Sequence, residues 1–326
     1  MSIISSLSAS QISSLSTSTI ASLTTSNIAA LSTTQVAALT SAQIGALSTA
    51  DVAAFSGPQI SALTLGALIG LSASQVTSLT TVEVPALTTA QTAALTTTQI
   101  GALSTDQAAV LTTAQIGVLT TAETAALTTA DVATLLTGQI DVLSTKDVAA
   151  LTTAQIGAIT TDDVAALTTT QVASLTTAQV GALSTDQAAA LTTAQIGALT
   201  TTQAGALTTA NVAALSTDQV AALSTADVAA LKTAQIGALS SDQVAALSTA
   251  QIGALSSAQV TALTTADAAA LSTAQIDAIT TKALAGLTTT DIGSLTSAQA
   301  NSFTSAQVAA LSTTQLGAVI QAYNDN

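Results

Sequence analysis

The strongest constraint on this chain is an eight-residue period that recurs without an insertion or a deletion. Residues 239–263 read LSSDQVAALSTAQIGALSSAQVTAL: Leu, a hydroxyl residue, two small residues, Gln, Val or Ile, and two more small residues. Forty positions, from 7 to 319 in steps of eight, hold 35 Leu, and the next position is Ser or Thr in 37 of the 40 units. Because loops tolerate insertions, this strict register indicates that every unit packs on its neighbours.

Each unit carries the signal for the start of a helix. In residues 247–254, LSTAQIGA, Ser248 is followed three residues later by Gln251, which is the spacing of a capping box. Counting from the Ser or Thr, we name the eight positions of each octapeptide as follows: cap, N1, N2, N3, N4, N5, N6 and the final Leu. Leu247 and Ile252 take the two positions of a hydrophobic staple. The next unit begins eight residues later, so each helix has roughly a turn and a half and needs tertiary packing to persist.

The acidic residues support the same helix starts. Of 17 Asp and Glu residues, 14 fall at N2 or N3, where the helix dipole and the free amides favour a carboxylate. This distribution favours a structural role for the acids over a catalytic or metal-binding one. Eleven of the 16 Gly residues occupy N5, which predicts either a close approach between coils or a looser helix end.

A few units depart from the pattern. Pro85 lies one residue past N4 and is expected to disturb its turn, whereas Pro58 lies at N2, where a missing amide matters little. Leu136 and Lys232 replace the cap hydroxyl. We expect local weak points at these units rather than domain boundaries.

The spacing of the apolar residues favours helices over strands. Leu and the preceding Ile or Val are three residues apart, which places them on one face of a helix but on opposite faces of a strand. A single long helix is disfavoured because its apolar stripe would drift by ~80° per unit. The sequence therefore predicts an all-α solenoid of about forty eight-residue units, each a short capped helix. A β-solenoid is the alternative, since Thr, Val and Ile favour strands. We expect a single domain over residues 1–326, with residues 1–6 and 320–326 as end segments.

Composition disfavours several classes of function. The net charge is −14 with only three Lys and no Arg, which predicts no binding to nucleic acid. Ser and Thr interrupt every apolar run, so no membrane insertion is expected. The chain has no His and no Cys, and its acids recur singly at equivalent positions, with Asp162 and Asp163 as the only adjacent pair. We therefore predict no enzyme activity, no catalytic residues, no cofactor, no metal site and no small-molecule substrate.

The repeated motif of Leu, Ser or Thr, two residues, Gln, Ile or Val, and two small residues resembles the low-complexity Leu-Thr-Ala-Gln octapeptide repeats of bacterial secreted or surface proteins. Such proteins are described as adhesin-like or matrix proteins. The resemblance implies an exported bacterial structural protein, extracellular or at the cell surface. The first residues, MSIISSLSASQ, show no basic region and no long apolar run, so export without a visible cleaved signal peptide is expected.

The two ends of the repeat lead to a hypothesis about function. Solenoids usually carry polar caps, but apolar residues lie near both ends here: Ile3, Ile4 and Leu7 at one, and Val319, Ile320 and Tyr323 at the other. Open ends that stack head to tail make filaments. We therefore predict a structural subunit of an extracellular filament or matrix whose partner is itself, in a homopolymer. The alternatives are a monomeric repeat shaft or a binding module for a partner surface or an ice or crystal surface.

Overall fold

The computed structural model describes residues 3–325 and confirms the all-α solenoid. Within that range there are 37 α-helices and three 3-10 helices, and no strand. The β-solenoid alternative is therefore wrong. Almost every octapeptide forms one short helix, as its capping box predicts; for example, α30 spans Thr249–Gly253.

The chain forms two compact units, Met1–Ala166 and Leu167–Asn326. The expectation of a single domain stays a prediction. The helical segments of the first unit are η1 (Ile3–Ser6), α1 (Ala9–Ser14), α2 (Thr17–Ala21), α3 (Thr25–Ala29), α4 (Thr33–Val36), α5 (Ser41–Gly45), α6 (Thr49–Val52), α7 (Gly57–Ala62), α8 (Leu65–Leu68), α9 (Ala73–Ser78), η2 (Val84–Ala86), α10 (Thr89–Thr92), α11 (Thr97–Ile100), α12 (Thr105–Ala109), α13 (Thr113–Ile116), α14 (Thr121–Ala126), α15 (Thr129–Thr134), α16 (Thr137–Asp141), α17 (Thr145–Ala150), α18 (Thr153–Ala158) and α19 (Thr161–Ala166).

The second unit is built from the same kind of segment, except that it finishes with a longer helix. Its segments are α20 (Thr169–Ser174), α21 (Thr177–Gly181), α22 (Thr185–Ala190), α23 (Thr193–Gly197), α24 (Thr201–Ala204), α25 (Thr209–Ala214), α26 (Thr217–Ala222), α27 (Thr225–Ala230), α28 (Thr233–Ile236), α29 (Ser241–Ala246), α30 (Thr249–Gly253), α31 (Ser257–Ala262), α32 (Thr265–Ala270), α33 (Thr273–Ala278), η3 (Ala283–Gly286), α34 (Thr289–Gly293), α35 (Ser297–Ala300), α36 (Ser305–Ala310) and α37 (Thr313–Asp325).

Three octapeptides complete one coil of the solenoid in each unit. In the first unit α1 packs on α4 and α4 on α7; in the second, α22 packs on α25 and α26 on α29. Such helices begin 24 residues apart, as the first residues of α22 and α25, Thr185 and Thr209, show. The number of octapeptides in a coil is a property that the sequence left open.

Two apolar positions of each octapeptide form the core. The Ile or Val at N4 and the Leu that ends the unit are buried in the interior coils, as Ile252 and Leu255 illustrate, while cap, N1 and N2 face outward. Most Gly residues at N5 meet the following coil: a Cβ on Gly101 would lie 3.0 Å from the carbonyl oxygen of Ala126. The close approach predicted for this column is therefore present.

The irregular octapeptides keep their places with altered local structure. Pro85 lies in the 3-10 turn η2, so the expected disturbance is confirmed, while Pro58 lies in the first turn of the regular helix α7. At Leu136 and Lys232 half of the capping box remains, because Gln139 and Gln235 still accept from the cap amides, at N···Oε1 distances of 2.5 and 2.6 Å.

Candidate assembly ends

The side chain at N3 joins its own helix start to the preceding coil. In α31, the Oε1 of Gln259 accepts from the amide of Ser256 at 2.8 Å, which closes the capping box. The Nε2 of the same side chain donates to the carbonyl oxygens of Val228 and Leu231, at 3.0 and 2.8 Å. In the first unit Gln75 makes the equivalent bonds to Ile44 and Leu47. In these interior coils the N3 Gln thus satisfies one amide locally and buried carbonyls 28 and 31 residues earlier.

Where an acid replaces this Gln, the carboxylate keeps the capping role, and at Asp147, Asp267 and Asp291 it exchanges the second contact. Asp267 accepts from the amide and the hydroxyl of Thr264, and its Oδ1 accepts from the hydroxyl of Ser241 in the preceding coil at 2.8 Å. Asp291 and Thr265 repeat the arrangement at 2.9 Å. These buried acids therefore have a structural role, as their positions predict. Among residues 3–325, no group of three or more His, Cys, Asp or Glu side chains is placed to hold a metal ion.

The first coil exposes the edge of its Leu row. Its N4 residues Ile12 and Ile20 are buried, whereas Leu7, Leu15 and Leu23 are only half-buried, because within the described chain no coil precedes them. Interior Leu residues are buried. Serine hydroxyls on this coil bind nearby carbonyl oxygens, such as that of Ser14 on Gln11 at 2.8 Å.

One side-chain amide on the first coil lacks the contact that its interior counterparts make. Gln11 is exposed, and its Oε1 accepts from the amide of Ser8 at 2.8 Å. Its Nε2 has no hydrogen-bond partner within residues 3–325. The N-terminal end therefore has an unused side-chain amide at the position from which interior coils donate to the preceding coil.

The last coils end differently, because α37 does not turn at Val319. The helix continues through the expected cap position, where Ile320 replaces Ser or Thr, and lies on α34 and α35. Val319 is buried against these helices. The helix α36 is not covered in this way: its Val308, an N4 residue, is 37% exposed, whereas the corresponding Val260 is fully buried.

The uncovered helix borders a groove of about 290 Å³ at the C-terminal end. Its lining is apolar except for one amide and one phenol: Ala300, Asn301, Phe303, Val308, Leu316, Val319, Ile320 and Tyr323. Ile320 and Tyr323 are each 54% exposed at its rim.

A family model described as the ALTTAQ repeat matches this chain nine times, at residues 21–49, 28–65, 84–121, 124–161, 156–193, 193–225, 220–257, 242–273 and 260–297. Together these matches cover well over half of the sequence. The chain belongs to the ALTTAQ repeat family. The six letters describe N6, Leu, cap, N1, N2 and N3, as in Ala150–Gln155, so the ALTTAQ signature includes both partners of the capping box.

No curated protein matches this ALTTAQ repeat chain. Over the described residues, none of its helices has both the length and the apolar character needed to cross a bilayer.

The structure places the six residues predicted for assembly at the ends of the two ALTTAQ repeat units. Ile3 is 84% exposed and Leu7 half-buried, while Ile4 is buried in η1. Val319, Ile320 and Tyr323 come together in one groove. The sequence reasoning did not single out Gln11, Phe303 or Val308, although their place in the first or last units of the register was a signal for them. Their role in assembly stays a prediction.

Proposed function

We propose that this ALTTAQ repeat protein is a structural subunit that assembles end to end with copies of itself into a filament or matrix. The observation that carries the proposal is a difference between the two ends. The N-terminal end exposes the edge of the Leu row, and the C-terminal end exposes Val308 from the N4 row. In interior coils both of these rows are buried, so each end exposes a row that is covered elsewhere in the solenoid.

The groove at the C-terminal end supports a second copy as the occupant. Its residues Val308 and Leu316 hold the N4 position, which is buried in the interior coils of the second unit. Burial of exposed side chains such as Ile320 and Val308 contributes about 25 cal/mol for each Å² removed from water. A contact between two different ends repeats indefinitely, which gives a filament rather than a closed dimer.

The proposed role is passive and extracellular, at or beyond the surface of a bacterial cell. It is supported by the resemblance to the repeats of secreted and surface proteins. It is also supported by the outer positions of each octapeptide, where Ser, Thr and Ala give a hydrated and nearly uncharged shell. The repeated capping boxes and Gln bonds would give resistance to bending within each unit.

The proposal is tested by the assembly state of the purified 326-residue chain. Sedimentation velocity over a range of concentrations, with electron microscopy of the same samples, is expected to show filaments above a threshold concentration. Val308→Asp is expected to stay folded, because the side chain is already 37% exposed, and to abolish filaments by placing a charge in the joint.

Val142→Asp is the matched control. Val142 is 39% exposed but lies in α16's octapeptide, away from either end, so this variant is expected to assemble normally. A wild-type chain that remains monomeric at every concentration, with both ends protected from hydrogen exchange, would contradict the proposal. Equal loss of filaments in both variants would show that added charge, rather than the end, is responsible.

A further inference from the structure

We infer that the amide of Gln11 forms the polar part of the joint, donating to the carbonyl oxygens of Val308 and Leu311 in the preceding copy. This inference rests on the proposed end-to-end assembly and names the contact within it. Its starting point is that Gln11 has the capping contact of an interior N3 Gln but lacks the inter-coil contact.

The acceptors follow from the register of interior coils. Gln35 donates to the carbonyl oxygens of Ile4 and Leu7, at 3.0 and 2.7 Å. Ile4 is the N4 residue and Leu7 the final Leu of the octapeptide that lies four octapeptides before that of Gln35. The corresponding pair on an uncovered helix at the other end is Val308 and Leu311 of α36. No side chain within the described range donates to either carbonyl oxygen.

The geometry of α37 selects α36 over its neighbours. The carbonyl oxygens of Leu316 and Val319 lie inside the continuous helix Thr313–Asp325, so they are used by backbone amides. On the opposite end, the N3 residue after Gln11 is Thr19, whose hydroxyl already bonds to Ser16 at 2.8 Å. The side-chain amide of Gln11 therefore matches α36, the helix whose carbonyl oxygens remain available.

The same placement brings η1 over α36. Gln35 lies in the octapeptide that follows α3, and it donates to carbonyl oxygens of the η1 octapeptide. By the same register, when Gln11 donates to Val308 of the preceding copy, η1 lies directly after α37 of that copy. Ile3, which is 84% exposed, then lies beside the apolar groove. One arrangement thus accounts for an unused amide, two available carbonyl oxygens and two exposed apolar surfaces.

The test is Gln11→Glu in the full chain. The glutamate keeps an oxygen for the Ser8 amide, so the fold and the thermal unfolding midpoint are expected to stay unchanged, while the threshold concentration for filaments rises at least tenfold. Ala178→Asp is the control of equal charge; it lies at an exposed N2 position, where Asp occurs in other octapeptides, and is expected to assemble like the wild type.

The outcomes separate this inference from the proposed function. If the wild type forms filaments that Val308→Asp abolishes, but Gln11→Glu assembles at the wild-type threshold, the joint does not use this amide and the inference is overturned. If the wild type forms no filaments, the proposed function itself fails. A cryo-electron microscopy map of the joint with Gln11 next to α36 would support both.

Discussion

The Nε2 of Gln259 lies 2.8 Å from the carbonyl oxygen of Leu231, a residue 28 positions earlier in the chain. The Oε1 of the same side chain accepts from the amide of Ser256. One side chain therefore satisfies a backbone amide at the start of its own helix and a backbone carbonyl oxygen at the end of another helix. Because the bond recurs along each unit, the N3 position links local helix formation to the stacking of coils.

Replacing this Gln is expected to be worse than removing the cap hydroxyl. Gln259→Leu leaves the buried carbonyl oxygens of Val228 and Leu231 without the amide, which costs about 1–3 kcal/mol, and removes half of the capping box as well. Ser256→Ala removes the other half, for about 1 kcal/mol. Hydrogen exchange of the amides in α27 and α31 measures both. Equal effects of the two variants would show that the inter-coil bonds add nothing.

Two glycines of the second unit are expected to respond oppositely to alanine. A Cβ on Gly286 would meet the backbone oxygen of Ser257 and lie 2.9 Å from the amide nitrogen of Thr261, so Gly286→Ala should destabilise by about 1–3 kcal/mol. Gly293 lies in α34 with no atom within 4 Å of that position, so Gly293→Ala should stabilise by about 0.4–1 kcal/mol. Denaturant unfolding compares them, and a stabilised Gly286→Ala variant would contradict the packing described.

Glu83 is expected to make stability fall as the pH rises. Its side chain is 2% exposed, and burial raises its pKa above the ordinary value of 4.5, against the opposing effect of hydrogen bonds from Thr80. The folded chain therefore binds the proton more tightly than the unfolded chain, and stability is lost as the pH rises from about 4.5 through the raised pKa.

The comparison variant is Glu83→Gln, which has the usual N3 residue and no charge. Its stability advantage over the wild type should grow across that pH window and then remain constant, because all other acids titrate alike in both chains. Thermal unfolding from pH 4 to 8 measures this difference. A difference that does not change with pH would show that Glu83 titrates as it does in the unfolded chain.

Restoring a cap hydroxyl should stabilise two octapeptides. Leu136→Ser and Lys232→Ser each supply the acceptor missing from α16 and α28, worth about 0.5–2 kcal/mol. Leu136→Ala and Lys232→Ala separate loss of the original side chain from gain of the hydroxyl, and should give little change. Local hydrogen exchange is the measurement, and equal effects of Ser and Ala would argue against capping at these sites.

Helix position was predictable from the sequence because its determinants are local. Ser248 and Gln251 lie within one turn of each other, and their spacing alone places the start of α30. The three-octapeptide coil was not predictable in this way. It depends on the extended backbone at each unit-ending Leu, such as Leu263 with φ −64° and ψ 140°, which many turns of different direction share.

The second role of Gln at N3 was missed, although the sequence contained a signal. A capping box accepts Glu as readily as Gln, yet Glu occurs at N3 only twice in this chain, as Glu83 and Glu123. The preference for the amide indicates that this position must also donate. The exposed edge at Val308 could not be anticipated, because it depends on α37 continuing as a helix through Val319.

The coil of three octapeptides also restricts how the gene can change in length. Insertion of one octapeptide leaves the residues of every capping box unchanged. However, it moves each later octapeptide of that compact unit to a different side of the coil relative to the earlier octapeptides. Residues matched across coils on either side of the insertion, such as Thr265 with Asp291 for an insertion between them, then lose their partners. Duplication of a whole coil keeps every pair, so length variants arising from multiples of three octapeptides should be the ones that natural selection retains.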